Sequence, residues 1–191
     1  ENRNSKHIQL PLFTIGNSTE DTMLGLLQNL LNLKTFSQTM SIKKLKNKYA
    51  SKTAVIVSAG PSLEKNLHDL KQFSRENVLV IAVDTIFEKL VKSGIIPDAV
   101  ATVERGKVVY EYFYERANIP DETVFVGPPV VHPNIVDKFP KNRLLFPLKW
   151  NESITTWINH LVSNQSDQIS MGASCAHLAF SFARYLGCDP I

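Results

Sequence analysis

The sequence predicts an α/β protein built on an open, doubly wound, mostly parallel sheet. Three observations carry that expectation. Short apolar runs recur at 54–58 ("AVIVS"), 78–83 ("VLVIAV") and 123–126 ("TVFV"). Between them, apolar residues fall at helical spacing, as in Leu63, Leu67, Leu70 and Phe73. Glycines stand where those helices should stop, at Gly94 and Gly187. Runs that are apolar at every position mark strands covered on both faces. Strands alternating with helices of this length make parallel βαβ units with right-handed crossovers.

Taken in order, residues Glu1 to Asn17 are polar around a short apolar patch, "LPLFTIG", with no assignable structure. From Thr19 a helix is expected, with Leu24, Leu27, Leu30 and Leu31 on its core face and Thr19 or Asp21 as caps. "IKKLKNKYASK" is basic and reads first as a solvated face before a strand, second as a patch that attracts phosphate. Ala54–Ser58 is the first strand, Val78–Val83 the second. Phe87, Leu90 and Val91 mark the helix that Gly94 closes with a left-handed cap. Asp98–Val103 is the third strand, with Pro97 confined to its entry, and Val108–Ala117 the helix after it. Thr123–Val126 and Arg143–Phe146 are the fourth and fifth strands. Ile154, Trp157, Ile158 and Leu161 suggest a further helix, and a last one spans about Ser174–Leu186 before Gly187. No repeat or low-complexity tract is visible.

The chain has 191 residues, enough for one α/β domain with its own core. Hydrophobic residues make up 43% and charged residues 20%, which excludes a disordered chain. A formal charge of +3 is too weak to argue for nucleic acid. Cys175 and Cys188 fit neither a metal spacing nor a disulfide framework and read as reduced thiols of a cytoplasmic protein. No apolar run approaches the roughly 18 residues of a membrane span, and the start carries no signal-peptide pattern. The chain starts at Glu1 without methionine and stops at "LGCDPI", where Cys188–Ile191 read as the start of another strand. A piece of a longer protein is the expectation.

In open parallel sheets ligands bind outside the carboxyl ends of the strands. After the first strand stand Ser58, Ala59, Gly60, Pro61 and Ser62. Gly60 lets a ligand approach the backbone, Pro61 suits a first helical turn, and Ser62 can cap or donate. The positive end of the following helix favours an anion. A purely structural turn has the same composition, so both readings stand. Asp84 follows the second strand and can cap a helix, accept a ribose hydroxyl or hold a metal. Glu104 follows the third, and with Asp84 it is expected to form a close carboxylate pair at the mouth of the sheet. His132 lies beyond Gly127-Pro128-Pro129 and is the better candidate for general base or acid; His177 is a weaker one. His7, His68 and His160 read as peripheral. In "SMGASCAHLAF", Ser170, Gly172 and Ser174 lead into an apolar helix and offer a second N-terminus for an anion or sugar.

Three blocks, "VIVSAGPSLEKNLHDL", "VIAVDTIFEKLVKSGIIPDAVATVE" and "MGASCAHLAFSFARYLGCDPI", resemble the MptE-like domain family over about Ala54–Ile191. That family includes the motility accessory factors, glycosyltransferases of flagellin glycosylation, and the archaeal 6-hydroxymethylpterin pyrophosphokinases. The resemblance implies a Rossmann-like sheet, similar to sialyltransferases that use CMP-activated sugars, cut short at its carboxyl end. It implies a domain at 53–191 preceded by the end of an N-terminal helical region at 1–52. Ser58, Gly60, Pro61, Ser62, Asp84, Gly172 and Ser174 become the expected nucleotide contacts, with His132 and Glu104 as catalytic residues. The family's "PD...E" block matches Pro97, Asp98 and Glu104.

A P-loop lysine serves the β- and γ-phosphates of a triphosphate, and the Ser58–Ser62 turn has none. CMP carries a single phosphate, which is the leaving group, so the resemblance favours transfer of a nonulosonic acid from its CMP donor to flagellin, with no cofactor. The alternatives are diphosphate transfer from ATP to a hydroxymethylpterin, with Asp84, Asp98 and Glu104 as Mg²⁺ ligands, and a nucleotide-binding domain without turnover.

Overall fold

A computed structural model describes residues 18–72, 76–149, 153–163, 168–172 and 174–190. The expectations for Phe73, for the segment before Ser18 and for Ile191 lie outside the described residues. Strands β1 (Thr53–Val57), β2 (Val78–Val83), β3 (Ala99–Ala101), β4 (Val124–Val126), β5 (Leu144–Leu145) and β8 (Asp189–Pro190) form one sheet in the order β5-β4-β3-β2-β1-β8. Every neighbouring pair is parallel. A separate parallel pair joins β6 (Leu148–Lys149) to β7 (Gln168–Ile169). The expected Rossmann-like α/β sheet is therefore what the chain forms. Its strands advance outward from β1 to β5, and the chain then returns to add β8 on the other side of β1.

Alternation along the strands fills two cores. Val80 and Ala82 of β2 face α2 (Leu63–Gln72) and α3 (Asp84–Lys92), packing with Leu70, Phe87 and Leu90. Ile81 faces the opposite side with Ala99 and Ala101, under Leu178, Phe182 and Leu186 of α7 (Cys175–Leu186). Both faces of the sheet are thus dry, which is why its strands read as unbroken apolar runs. Gly187 takes φ 86° at the end of α7, turning the chain so that Cys188 N–H reaches Ala183 O at 3.0 Å and β8 can start. After β3, the short α4 (Lys107–Val109) widens into a π-helical turn, Tyr110–Tyr114, where one continuous helix was expected. Two further α-helices among the described residues are α5 (Pro133–Val136) and α6 (Ser153–Val162). No helix among the described residues is long and apolar enough to cross a membrane.

Helix α1 (Thr19–Ser37) is present, but its buried face is not the expected one. Leu24, Leu27, Leu30 and Leu31 are exposed, and Gly25, Gln28, Asn29, Asn32 and Phe36 are buried. The reason is hydrogen-bond supply. Asn32 Nδ2 donates to Pro129 O and Val131 O, each at 2.9 Å, and Gln28 Nε2 donates to Arg105 O at 2.9 Å. The loops after β3 and β4 present carbonyls to α1, and buried carbonyls need donors that leucine lacks. Gly25 leaves room for the Arg105 side chain, which crosses the helix to reach Asp21 Oδ2 at 2.6 Å.

Asn32→Leu tests this assignment. It raises the apolarity of the helix, yet leaves two buried carbonyls without their donor, and each costs about 1–3 kcal/mol. The expected outcome is a loss of about 2 kcal/mol or more in urea unfolding. Unchanged or increased stability would put the leucine face back into the core.

Candidate functional site

The carboxyl ends of β2 to β5 are level: Val83, Ala101, Val126 and Leu145 align across the sheet. One step further stand Asp84 and Thr102. Asp84 is 3% exposed and is not the helix cap, since Val83 holds that position. Its Oδ1 accepts the Thr85 N–H at 2.7 Å. Its Oδ2 accepts the Thr102 hydroxyl at 3.2 Å and the Cys175 thiol at 3.3 Å. Because the Thr102 proton is committed to Asp84, the short contact between Thr102 and Tyr114 has the tyrosine hydroxyl as donor. Tyr114 is fully buried in the π-helical turn. One carboxylate thus joins β2, β3, α3, the π turn and the N-terminus of α7.

Burial raises the Asp84 pKa above its ordinary value, against the pull of Cys175, Thr85 and Thr102. Glu104 was expected to pair closely with Asp84, but the structure exposes Glu104 while it buries Asp84, and the shift comes from burial. Burial and the Asp84 charge push the Cys175 thiol up to about 12, although the Val103 N–H donates to its sulfur. Burial first, then Asp84, raises Tyr114 well above the ordinary phenol range.

Ser58, Gly60, Pro61 and Ser62 form the exposed connection from β1 into α2, with the Leu63 N–H on Gly60 O at 3.1 Å. Gly60 has no positive φ, and a β-carbon there meets nothing within 4 Å. The fold itself does not require glycine at this position. Ser174 caps α7 by accepting the His177 N–H at 3.3 Å, and its hydroxyl lies 3.1 Å from His177 Nδ1. Gly172, with φ 55°, lies directly against the His177 ring.

His132 is the N-cap of α5, where its Nδ1 accepts the Asn134 N–H at 3.2 Å. Its ring stacks on Tyr110, with centroids 5.8 Å apart. Burial and Lys107 lower its pKa, and Glu111 opposes them. A neutral ring whose Nδ1 is an acceptor carries its proton on Nε2. In this arrangement His132 is a donor through Nε2 and not a base.

Asp98 lies at the opposite end of the sheet. Its Oδ2 accepts the Val80 N–H at 2.7 Å, its N–H donates to Val80 O, and its carbonyl accepts the Val124 N–H. It ties Val80 of β2 to the amino ends of β3 and β4, with the whole of β3 between it and Glu104. Asp84, Asp98 and Glu104 are therefore not brought together as a metal site. Among the described residues no cluster of three or more His, Cys, Asp or Glu suits a metal. Sequence reading missed Thr102 and Cys175 as partners of Asp84, and Tyr114 as the partner of Thr102. The aligned strand ends hold the only signal, since Thr102 stands at the same step of β3 as Asp84 of β2.

The fold and the polar cluster at its strand ends define an open-sheet α/β domain of the kind that binds ligands at its carboxyl edge. The chain belongs to the MptE-like family: the family model, described as 6-hydroxymethylpterin diphosphokinase MptE-like, matches residues 27–191 and so begins inside α1. Among solved structures the chain is similar to the MAf glycosyltransferase from Magnetospirillum magneticum AMB-1, with a TM-score of 0.65 and 18% identity. That match covers 84% of this chain and 26% of the other, so the chain spans about a quarter of that protein's length. No curated protein matches the sequence.

Asp84 makes stability depend on pH with a definite sign. Its native pKa lies above its ordinary 3.8, so between the two values the folded state holds the extra proton. Stability then falls as pH rises through that window and stays lower above it. Urea titrations from pH 4 upward should show this fall in the wild type, and Asp84→Asn should remove it. An unaltered pH profile in the variant would show that Asp84 does not carry the effect.

Proposed function

We propose that the protein is a glycosyltransferase that takes a nonulosonic acid from its CMP donor and passes it to a serine or threonine hydroxyl of flagellin. The observation that carries this reading is the Ser58–Ser62 turn. It follows β1, the strand at which the sheet order reverses, and such switch points are where open sheets bind nucleotides. Its one glycine faces open space and is free of any conformational need of the fold, so close approach of a ligand is what explains it. The turn holds serines and no lysine, which suits a single phosphate. Likeness in fold to a MAf glycosyltransferase supports the same reading.

In the reaction, the acceptor oxygen forms a bond to the anomeric carbon as that carbon's bond to the CMP phosphate breaks. The bonding pair leaves on the phosphate oxygen, and the hydroxyl proton passes to a base. Glu104, exposed at the end of β3, is assigned as that base. His132, with its proton on Nε2, is assigned as a donor to the departing phosphate or sugar. The N-terminus of α7 at Ser174 is the second anion-facing element. Asp84 ties together the segments that carry Glu104 and Ser174: its carboxylate is occupied by the α3 backbone, Thr102 and Cys175.

A second reading, diphosphate transfer from ATP, is favoured by the family model's own description. Dispersal of Asp84, Asp98 and Glu104 leaves it without a Mg²⁺ ligand set among these residues.

Thermal unfolding with CMP, CDP, ATP and Mg²⁺ distinguishes the two. A ligand at about 100 times its Kd adds roughly 2.7 kcal/mol to the folded state. CMP should raise Tm without metal, and ATP less. A large shift with ATP and Mg²⁺ alone would replace the first reading by the second. Gly60→Val should abolish the CMP shift while changing the stability of the empty protein by no more than about 0.5 kcal/mol, as at other exposed sites. Unfolding of that variant would show that the glycine serves the fold.

A further inference from the structure

We infer that the exposed face of α1 is a self-association surface, on which a second copy of this chain lays its own α1 antiparallel across a two-fold axis at Leu27. The starting observation is a stripe of apolar side chains turned to solvent: Met23 is 60% exposed, Leu27 54%, Leu30 49% and Leu31 62%. No charged residue occurs between Asp21 and Lys34. Asp21 is held by Arg105, which leaves Glu20 and Lys34, both exposed, at the two ends of the stripe.

The order of these residues is symmetric. Glu20 stands as far before Leu27 as Lys34 stands after it, Met23 mirrors Leu31, and Leu24 mirrors Leu30. At about 100° per residue all of them fall within roughly 60° of the Leu27 direction, one stripe along the helix. A two-fold axis through Leu27 sets each residue against its mirror position on the partner. Leu27 then meets Leu27, Met23 meets Leu31, Leu24 meets Leu30, and Glu20 meets Lys34 twice. Parallel pairing would put Glu20 against Glu20 and Lys34 against Lys34, so charge selects the antiparallel arrangement. A surface shaped for an unrelated segment has no need of this symmetry; an isologous contact requires it.

Area agrees. A side chain of this size is worth about 1.5–3 kcal/mol on full burial at roughly 25 cal/mol per Å², or on the order of 100 Å². At these exposures, with Leu24 37% exposed, the α1 stripe amounts to roughly 250 Å² per copy, approaching the few hundred Å² at which an exposed apolar patch marks an interaction site. The surface is built by α1 and stands independently of the nucleotide reading.

Sedimentation equilibrium of the purified protein across the micromolar range tests the inference. A monomer–dimer equilibrium is expected. Leu27→Glu places two carboxylates on the axis and should give a monomer whose Tm and circular dichroism match the unaltered monomer, since the position is exposed. Glu20→Lys and Lys34→Glu should each weaken the dimer about tenfold or more, because each turns two attractive contacts repulsive. The double variant Glu20→Lys/Lys34→Glu should restore it. A protein that stays monomeric at every concentration overturns the inference. So does a dimer that survives Leu27→Glu, or a double variant as weak as the singles.

Discussion

The buried carboxylate of Asp84 is the constraint on which the mouth of the sheet depends. An acid that is 3% exposed is tolerated only when its lone pairs are occupied. Here a backbone amide, a hydroxyl and a thiol occupy them, from three separate segments. Those donors place the first turn of α3, the end of β3 and the first residue of α7. Through Thr102 the tie extends to Tyr114, and Tyr114 stacks on Phe87 of α3 at 6.4 Å. The polar cluster is thus embedded in the apolar core between α3 and the π turn. Removing one member would leave the others without partners, so it holds as a unit.

A second polar layer works the same way around the rim. The loops after β3 and β4 run over the strand ends and carry carbonyls that the sheet does not use. Helix α1 supplies amide donors to Arg105, Pro129 and Val131, and so fixes the loops that carry Glu104 and His132. That duty takes the polar face of the helix inward and leaves the leucines outside.

Much of the architecture was legible because its causes are local. β2 has its expected bounds, and Gly94 and Gly187 end α3 and α7 in left-handed conformations as read. The face of α1 was not legible. Periodicity finds a leucine stripe, but which side packs inward depends on carbonyls about 100 residues away. The sequence places Asp98 at the start of its strand, and β3 does begin one residue after it. Its candidacy as a metal ligand comes with the ATP alternative and conflicts with that placement, since the start of a parallel strand lies at the far end from the mouth. His132 was recognised as a histidine past a strand end, but its role as a cap rests on the Pro133 turn that follows. Thr102 and Cys175 were not recognised because their partner lies 18 and 91 positions away along the chain.

The same geometry assigns a role to the cysteine at the mouth. Cys175 is the first residue of α7, where the positive end of a helix ordinarily lowers a thiol's pKa and makes it a nucleophile. Here the effect is reversed. Burial and the neighbouring Asp84 charge carry the thiol to about 12, so it stays protonated at any physiological pH. A protonated thiol is a donor, and it spends that proton on Asp84 Oδ2. Cys175 therefore ties α7 to the sheet, which fits the proposal that a ligand is met by the exposed groups of the Ser58–Ser62 turn and Glu104.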